Sequence, residues 1–155
     1  MKARHIDVTT SDFRNIRSDK AIYVDKTHLV YDLVHDGRAI FLSRPRRFGK
    51  SLLVSVLQAY FEGRGELFDG LAMAELEQEW VQYPVFKFDL SPMHYVDSSD
   101  LAAVLGSSLR RYEEIYGREG EDGDKPGVRF QNLIRLACDK TGQQAVVLID
   151  EYDAP

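Results

Sequence analysis

Residues 44–51 read Arg44-Pro45-Arg46-Arg47-Phe48-Gly49-Lys50-Ser51, and they lie between two apolar segments of different length. The run before them, Ala39-Ile40-Phe41-Leu42-Ser43, has the length of a strand, whereas the longer run from Leu52 to Phe61 is typical of a buried helix. A strand, a turn, Gly-Lys-Ser and a helix in this order predict a phosphate-binding loop. The start of a helix stabilises an anion because its first N–H groups are unpaired and its macrodipole is positive there.

The residue types of this loop suit the binding of a nucleotide with Mg²⁺. Gly49 lets the backbone approach phosphate closely, Lys50 can reach the terminal phosphates, and Ser51 can offer its hydroxyl to the metal. The consensus G-x-x-x-x-G-K-[ST] has glycine where this chain has Arg44. Arginine does not easily adopt a positive φ, so the first turn of the loop is expected to differ from the usual one.

Composition indicates a globular chain of one domain. Of its 155 residues, 44% are hydrophobic and 29% are charged, and the net charge of −5 argues against a nonspecific nucleic-acid binder. Against this acidic background the cluster of Arg44, Arg46, Arg47 and Lys50 is either a solvated basic loop or a surface that faces phosphate.

The cellular setting follows from two absences in the sequence. Cys138 is the single cysteine, so no internal disulfide is possible, and its place on the apolar face of a predicted helix favours a buried core residue over a nucleophile. No run approaches the length of a membrane span, and residues 1–13 lack the apolar core of a signal peptide. We expect a cytoplasmic protein with no membrane partner.

Helices and strands are predicted along most of the chain. A short β-prone segment, 21–27, precedes a helix that Asp25 or Thr27 can cap and that Gly37 ends. The other predicted elements are a helix over 71–83, a strand over 85–91, a long helix from Ser98 or Ser99, a flexible loop over 117–127 and a helix that Gly142 ends. Asp89, Ser91 and His94 cluster at the carboxyl end of this strand, where they are either ligand-binding residues or ordinary turn residues.

The end of the chain supplies two acidic residues. Ala145-Val146-Val147-Leu148-Ile149 predicts a strand buried on both faces, as in a parallel sheet, and Asp150 and Glu151 follow it directly. Asp150 can hold the water shell of Mg²⁺, and Glu151 can orient and deprotonate an attacking water. Taken alone, the pair could simply start a loop, but together with Gly49-Lys50-Ser51 it favours a nucleotide site that hydrolyses rather than one that transfers phosphate to a small molecule.

Three motifs, Ser43–Leu52, Tyr23–Thr27 and Leu148–Asp153, together resemble the AAA-ATPase-like family of uncharacterised bacterial and archaeal proteins. The resemblance implies a P-loop NTPase-like α/β fold with a parallel sheet flanked by helices. The sheet would be incomplete here, with three core strands plus a short N-terminal strand. It implies that residues 1–155 are the N-terminal portion of an ATPase domain, comprising an N-terminal extension with a helix (1–37) and a P-loop core (38–155).

The resemblance also implies features beyond Pro155: a further strand, a sensor residue, an arginine finger and a C-terminal PD-(D/E)XK nuclease-like domain. Homo-oligomers are a further implied partner. We therefore expect this chain, taken alone, to hydrolyse ATP poorly and to be less stable than a longer one.

The leading hypothesis is a module that binds ATP with Mg²⁺ and hydrolyses it. Phosphate would be held by Arg46, Arg47, Phe48, Gly49, Lys50 and Ser51, the metal by Ser51 and Asp150, and catalysis would depend on Glu151 and Lys50. A second hypothesis is a non-hydrolysing regulatory module that controls an attached nuclease-like effector. A third hypothesis is that the arginines of the loop, Arg44, Arg46 and Arg47, bind nucleic acid.

Overall fold

Helices and turns, rather than strands, form the described part of residues 1–82, the first of two units into which the chain divides. The computed structural model describes residues 10–37, 39–43, 45, 47–90, 98–121 and 125–151. The elements of the first unit are α1 (Phe13–Ser18), α2 (Thr27–Asp36), α3 (Lys50–Phe61), a 3₁₀ turn (Gly65–Phe68) and α4 (Ala72–Leu76).

The core of the first unit forms where α1, α3 and the 3₁₀ turn meet. Phe13, Phe68 and Met73 are fully buried there, and the rings of Phe13 and Phe68 lie 5.1 Å apart. Trp80 packs on Phe68 at 5.0 Å. A Cβ at Gly65 would lie 2.9 Å from the Trp80 ring, so this close approach requires glycine.

The segment Tyr23–Thr27 joins the start of α2 to the start of α4. Asp25 Oδ2 accepts a hydrogen bond from the Ala72 N–H at 2.8 Å, and Thr27 Oγ1 accepts one from the Met73 N–H at 2.9 Å. Asp25 Oδ1 also accepts from the N–H and the hydroxyl of Thr27, which is fully buried. The two side chains therefore cap α4 from a distant part of the chain, which satisfies two of its first N–H groups.

The Asp25 carboxylate should make the stability of the first unit depend on pH. Burial acts to raise the pKa of Asp25, but the hydrogen bonds from Ala72 and Thr27 together outweigh it and hold the pKa below its usual value. The stabilisation is therefore present above the unfolded pKa, about 3.9, and is lost as the pH falls through the lower folded pKa. We expect the difference in melting temperature between wild type and Asp25→Asn to shrink below about pH 4. A constant difference from pH 3 to pH 7 would contradict this account.

Three expectations for the first unit are wrong. Residues 39–43 form no strand, and Phe41 is 72% exposed, because no described strand pairs with this segment. The β-prone segment 21–27 is likewise not a strand. The helix expected over 71–83 ends at Leu76, after which the chain extends and places Trp80 on Phe68.

The second unit, residues 83–155, holds a parallel pair of strands with two helices in the connection between them. β1 (Val85–Asp89) and β2 (Val146–Asp150) pair in register from Val85 with Val146 to Asp89 with Asp150. The connection contains α5 (Ser98–Tyr116) and α6 (Pro126–Thr141), and Gly142 ends α6 at φ 68°, as predicted. The described chain is thus α/β, with a two-stranded parallel sheet flanked by helices.

Phe86 is the centre of the second core. Its buried ring lies 5.0 Å from Tyr112, 5.7 Å from Tyr116 and 5.6 Å from Phe130. The two helices are also joined by an ion pair, in which Arg129 Nε and Nη2 each donate to a Glu113 oxygen at 2.9 Å. This guanidinium holds the pKa of Glu113 below its usual value.

The hydroxyl of Tyr112 bonds to the middle of β1. It accepts from the Lys87 N–H at 2.7 Å and donates to the Lys87 carbonyl at 3.1 Å. The Pro84 carbonyl and the Leu90 N–H both form hydrogen bonds with the β2 side. Because successive residues of a strand direct their backbone groups to alternate sides, those of Lys87 point to the other edge of β1. Tyr112 therefore satisfies the backbone groups of Lys87 at the centre of the edge of β1 that does not pair with β2.

β2 is less buried than its sequence predicts. Phe86 and Phe88 are buried, but their register partners Val147 and Ile149 are exposed, Ile149 to 52%. Helices α5 and α6 thus cover the face of β1 more fully than that of β2, and the expectation of burial on both faces is wrong. Cys138 is half-buried rather than part of the core.

Candidate functional site

Gly49, Lys50 and Ser51 form the start of α3. Gly49 occupies the N-cap position in the left-handed conformation, with φ 73° and ψ 24°, and Lys50 and Ser51 are the first two helical residues. The Leu53 N–H donates to the Gly49 carbonyl at 3.0 Å, so the earlier amides lie at the N-terminal end of the helix, the position that suits an anion. A Cβ at residue 49 would meet nothing within 4 Å, so its positive φ, rather than lack of space, favours glycine.

Backbone strain marks both predicted halves of the site. Among the described residues, the non-glycine positions with positive φ are Lys20 (54°), Arg47 (67°) and Glu151 (53°). Such a conformation costs on the order of 1–3 kcal/mol and is enriched at functional sites. Arg47 belongs to the phosphate loop and Glu151 follows β2, whereas Lys20 lies in the turn after α1. Arg44 and Arg46, which the sequence assigns to this loop, lie outside the described residues.

The two carboxylates at the end of β2 have different environments. Asp150 is only 6% exposed, and its Oδ1 accepts a hydrogen bond from the Glu151 N–H at 3.0 Å. Its carbonyl accepts from the Leu90 N–H at 3.1 Å, which extends the pairing of the strands. Glu151 is half-buried, and its φ of 53° lies outside the extended conformation of the strand. The two side chains are therefore adjacent in sequence but differ in burial and backbone setting.

Asp89 adds a third carboxylate at the carboxyl-terminal end of the two paired strands. It is the register partner of Asp150, so the two side chains leave the same face of neighbouring strands. Asp89 is exposed whereas Asp150 is buried. Ser91 and His94, which the sequence places with Asp89, lie outside the described residues.

The structure assembles the predicted residues in two groups. Gly49, Lys50 and Ser51 lie at one helix start in the first unit, next to the exposed side chain of Phe48, and Asp150 and Glu151 lie at one strand end in the second. Their union in a single site stays a prediction.

The residues that the sequence assigns to the metal are of types that Mg²⁺ accepts. The part of the chain that the structure describes contains no group of three or more His, Cys, Asp or Glu residues placed to hold a metal ion. Mg²⁺ usually keeps several waters and takes one or two protein ligands together with phosphate oxygens. A serine hydroxyl and a buried aspartate, such as Ser51 and Asp150, are ligand types of this kind, and their sharing of one Mg²⁺ stays a prediction.

Comparison with known proteins gives the family. A family described as "Predicted AAA-ATPase" matches residues 7–155, which include all three motifs identified above. The chain belongs to this family. The resemblance drawn from Ser43–Leu52, Tyr23–Thr27 and Leu148–Asp153 is therefore confirmed.

A curated relative of this AAA-ATPase family member is the "Uncharacterized protein in vnfD 5'region" of Azotobacter chroococcum mcd 1. It is 35% identical over 156 residues, which cover 100% of this chain and 30% of the relative. The chain thus spans about a third of the length of the relative. No solved structure matches the chain.

Two further properties complete the description of the AAA-ATPase chain. Among its described helices, none has the length and apolar character needed to cross a membrane. Sequence reasoning assigned Asp25 or Thr27 to the start of α2, but it missed that both cap α4, and it gave no role to Ser55, a buried polar residue in α3. A serine on a helix face that otherwise carries Leu52, Val56 and Ala59 is the signal that could have singled out Ser55.

Proposed function

We propose that this chain is part of an ATPase module that binds ATP with Mg²⁺ and hydrolyses it in the complete protein. The observation that carries the proposal is the left-handed Gly49 directly before Lys50 and Ser51 at the start of α3. This geometry combines a close backbone approach, helix N–H groups and a lysine at one anion-binding position. Membership of the AAA-ATPase family supports the same activity.

Each residue of the proposed site has a distinct part. Lys50 and the backbone of residues 46–51 hold the phosphates, and Ser51 and Asp150 hold Mg²⁺. Bound Mg²⁺ would neutralise charge on the phosphate oxygens and help to orient them. Glu151 orients the attacking water and accepts its proton, and the strained backbone at this residue supports a functional position.

A non-hydrolysing regulatory module is the second candidate. It is favoured by the length of the relative, of which this chain covers only 30%, because most of that protein lies outside the matched region. Nucleotide binding would then control an attached domain, for which the sequence resemblance suggests a nuclease-like effector. The two candidates share the binding step and differ in turnover.

Lys50→Ala should weaken the binding of Mg²⁺-ATP about tenfold or more. The substitution removes a charge-assisted contact to phosphate, which is worth on the order of 1.5–3 kcal/mol. Calorimetric titration of both proteins with Mg²⁺-ATP measures the effect. Lys140→Ala is the control, because its ammonium contacts the Ile115 carbonyl at 2.6 Å, far along the sequence from the phosphate loop. Equal affinity of wild type and Lys50→Ala would refute the assignment of the site.

A further inference from the structure

Ser55 is a buried polar residue in the helix that begins at the phosphate loop. It is 4% exposed, and its Oγ accepts a hydrogen bond from the N–H of Phe13, the first residue of α1, at 2.8 Å. The same oxygen lies 3.0 Å from the Leu52 carbonyl and 3.2 Å from the Ser11 carbonyl, either of which can receive its proton. The hydroxyl thus links α3 to the segment that leads into α1.

Residues 10–14, the N-terminal segment of the described chain, make further hydrogen bonds around this one. Asp12 Oδ1 accepts from the Arg14 N–H at 2.8 Å, and the Asp12 N–H donates to Thr10 Oγ1 at 3.0 Å. Phe13 is fully buried in the cluster that includes Val56 and Ala59 of α3. The segment is therefore held by capping bonds and by core packing, so it can serve as a fixed support for α3.

A second attachment lies at the other end of α3. Arg14 pairs with Glu62, the residue that follows the helix, and Gln58 Nε2 donates to the same carboxylate at 2.8 Å. Ser55 and Glu62 are seven residues apart, or roughly 10 Å along a helix axis. Two attachments at that separation restrain both the sliding and the tilting of α3 against α1.

We propose that Ser55 is a positioning residue for nucleotide binding, which fixes the phosphate loop through the N-terminal segment; the inference rests on the proposed function. Ser55 follows Ser51 by four residues, so it lies about 6 Å further along the helix on nearly the same face. A helix moves largely as a unit, so a shift at Ser55 displaces Lys50 and Ser51. Displacements of about 1 Å can cost an active site up to 10²-fold in activity.

The effect must be separated from a general loss of stability, and the chain offers a matched control for this purpose. Thr27 is also a buried hydroxyl that accepts a backbone N–H in the first unit, from Met73 at 2.9 Å. Thr27→Val and Ser55→Ala each leave one buried N–H without its partner, so the two should lose similar amounts of thermal stability. Only Ser55 lies on the helix that begins at the phosphate loop.

The experiment uses a chain that contains the complete ATPase domain, and it compares wild type, Ser55→Ala, Thr27→Val and Ser55→Thr well below their melting temperatures. Affinity is measured with Mg²⁺ and ATPγS, a slowly hydrolysed analogue of ATP. We expect Ser55→Ala to bind at least about fivefold more weakly than Thr27→Val, and Ser55→Thr, which keeps the hydroxyl, to recover most of that loss. Hydrogen exchange without nucleotide should be faster at residues 50–55 in Ser55→Ala than in Thr27→Val.

The outcomes separate the inference from the function beneath it. If wild type does not bind Mg²⁺-ATPγS, the proposed function fails, and the inference fails with it. If wild type binds and the two substitutions weaken binding equally, the function stands and the inference is overturned. The inference is also overturned if exchange at residues 50–55 rises in Ser55→Ala while its affinity equals that of wild type.

Discussion

Glu151→Gln is expected to slow ATP hydrolysis by roughly 10²-fold or more, in a chain that contains the complete ATPase domain, and to leave the affinity for Mg²⁺-ATP unchanged. The amide keeps the size and much of the hydrogen bonding of the carboxylate, but it cannot accept a proton from water. Glu151 follows a buried strand end and has φ 53°, so the backbone sets the direction of its side chain. Phosphate release under saturating ATP measures turnover, and calorimetry measures binding.

The companion substitution Asp150→Asn tests the division of roles. Asp150 is buried, and its Oδ1 accepts a hydrogen bond from the Glu151 N–H. Because Asp150 is the proposed metal ligand, removal of its charge should weaken the Mg²⁺ dependence of binding rather than act on turnover alone. Glu114→Gln is a suitable control, because Glu114 is an exposed carboxylate of the same unit. Identical phenotypes for the Asp150 and Glu151 substitutions would show that the two residues do not have separate roles.

Phe86→Ala is expected to lower the free energy of unfolding of the second unit by about 3–5 kcal/mol, the usual cost of removing a buried phenylalanine ring. Its ring is fully buried and contacts the rings of Tyr112, Tyr116 and Phe130. Folded domains are stable by only about 5–15 kcal/mol, so this single change removes a large share of the total. Urea unfolding followed by far-UV circular dichroism measures the loss.

Two comparisons make this result specific. Val128→Ala, at a 46% exposed position on α6, should change stability by no more than about 0.5 kcal/mol. Trp80, the single tryptophan, lies in the first unit, so its fluorescence gives a separate unfolding signal for that unit. A loss below about 1 kcal/mol for Phe86→Ala would mean that the core of the second unit is not centred on this residue.

The elements that were predicted correctly depend on local signals. Helix α6 has Pro126 in its first turn and Gly142 in the left-handed conformation at its end. Each residue sets the end of the helix at which it lies, so each can be interpreted from the local sequence. The strands predicted over 85–91 and 145–149 from short apolar runs are observed at 85–89 and 146–150, and their parallel pairing follows from the helical connection.

The errors depend on partners that are distant in sequence. Residues 39–43 have the composition of a strand, but a strand needs a neighbour to pair with, and composition does not show whether one is present. The capping of α4 by Asp25 and Thr27 spans 47 and 46 residues. No local pattern could have given that contact.

The candidate site likewise has parts that the local sequence predicts and parts that it does not. The sequence grouped Gly49 with Lys50 and Ser51, and Asp150 with Glu151, because each group is contiguous. The positive φ of Arg47 and Glu151 was not predictable, since neither residue type favours it. The prediction that the two groups share one nucleotide is tested by Lys50→Ala and Asp150→Asn, because each should change the binding of Mg²⁺-ATP.

The hydroxyl of Tyr112 has a consequence for how the second unit avoids aggregation. An exposed strand edge is a template on which another chain can add a strand. At the middle of β1 the Tyr112 hydroxyl occupies this position, because it bonds to both the backbone N–H and the carbonyl of Lys87. Of the two outer edges of the described sheet, the one beside β1 is therefore obstructed at its centre, and recruitment of a further strand is directed to the side of β2.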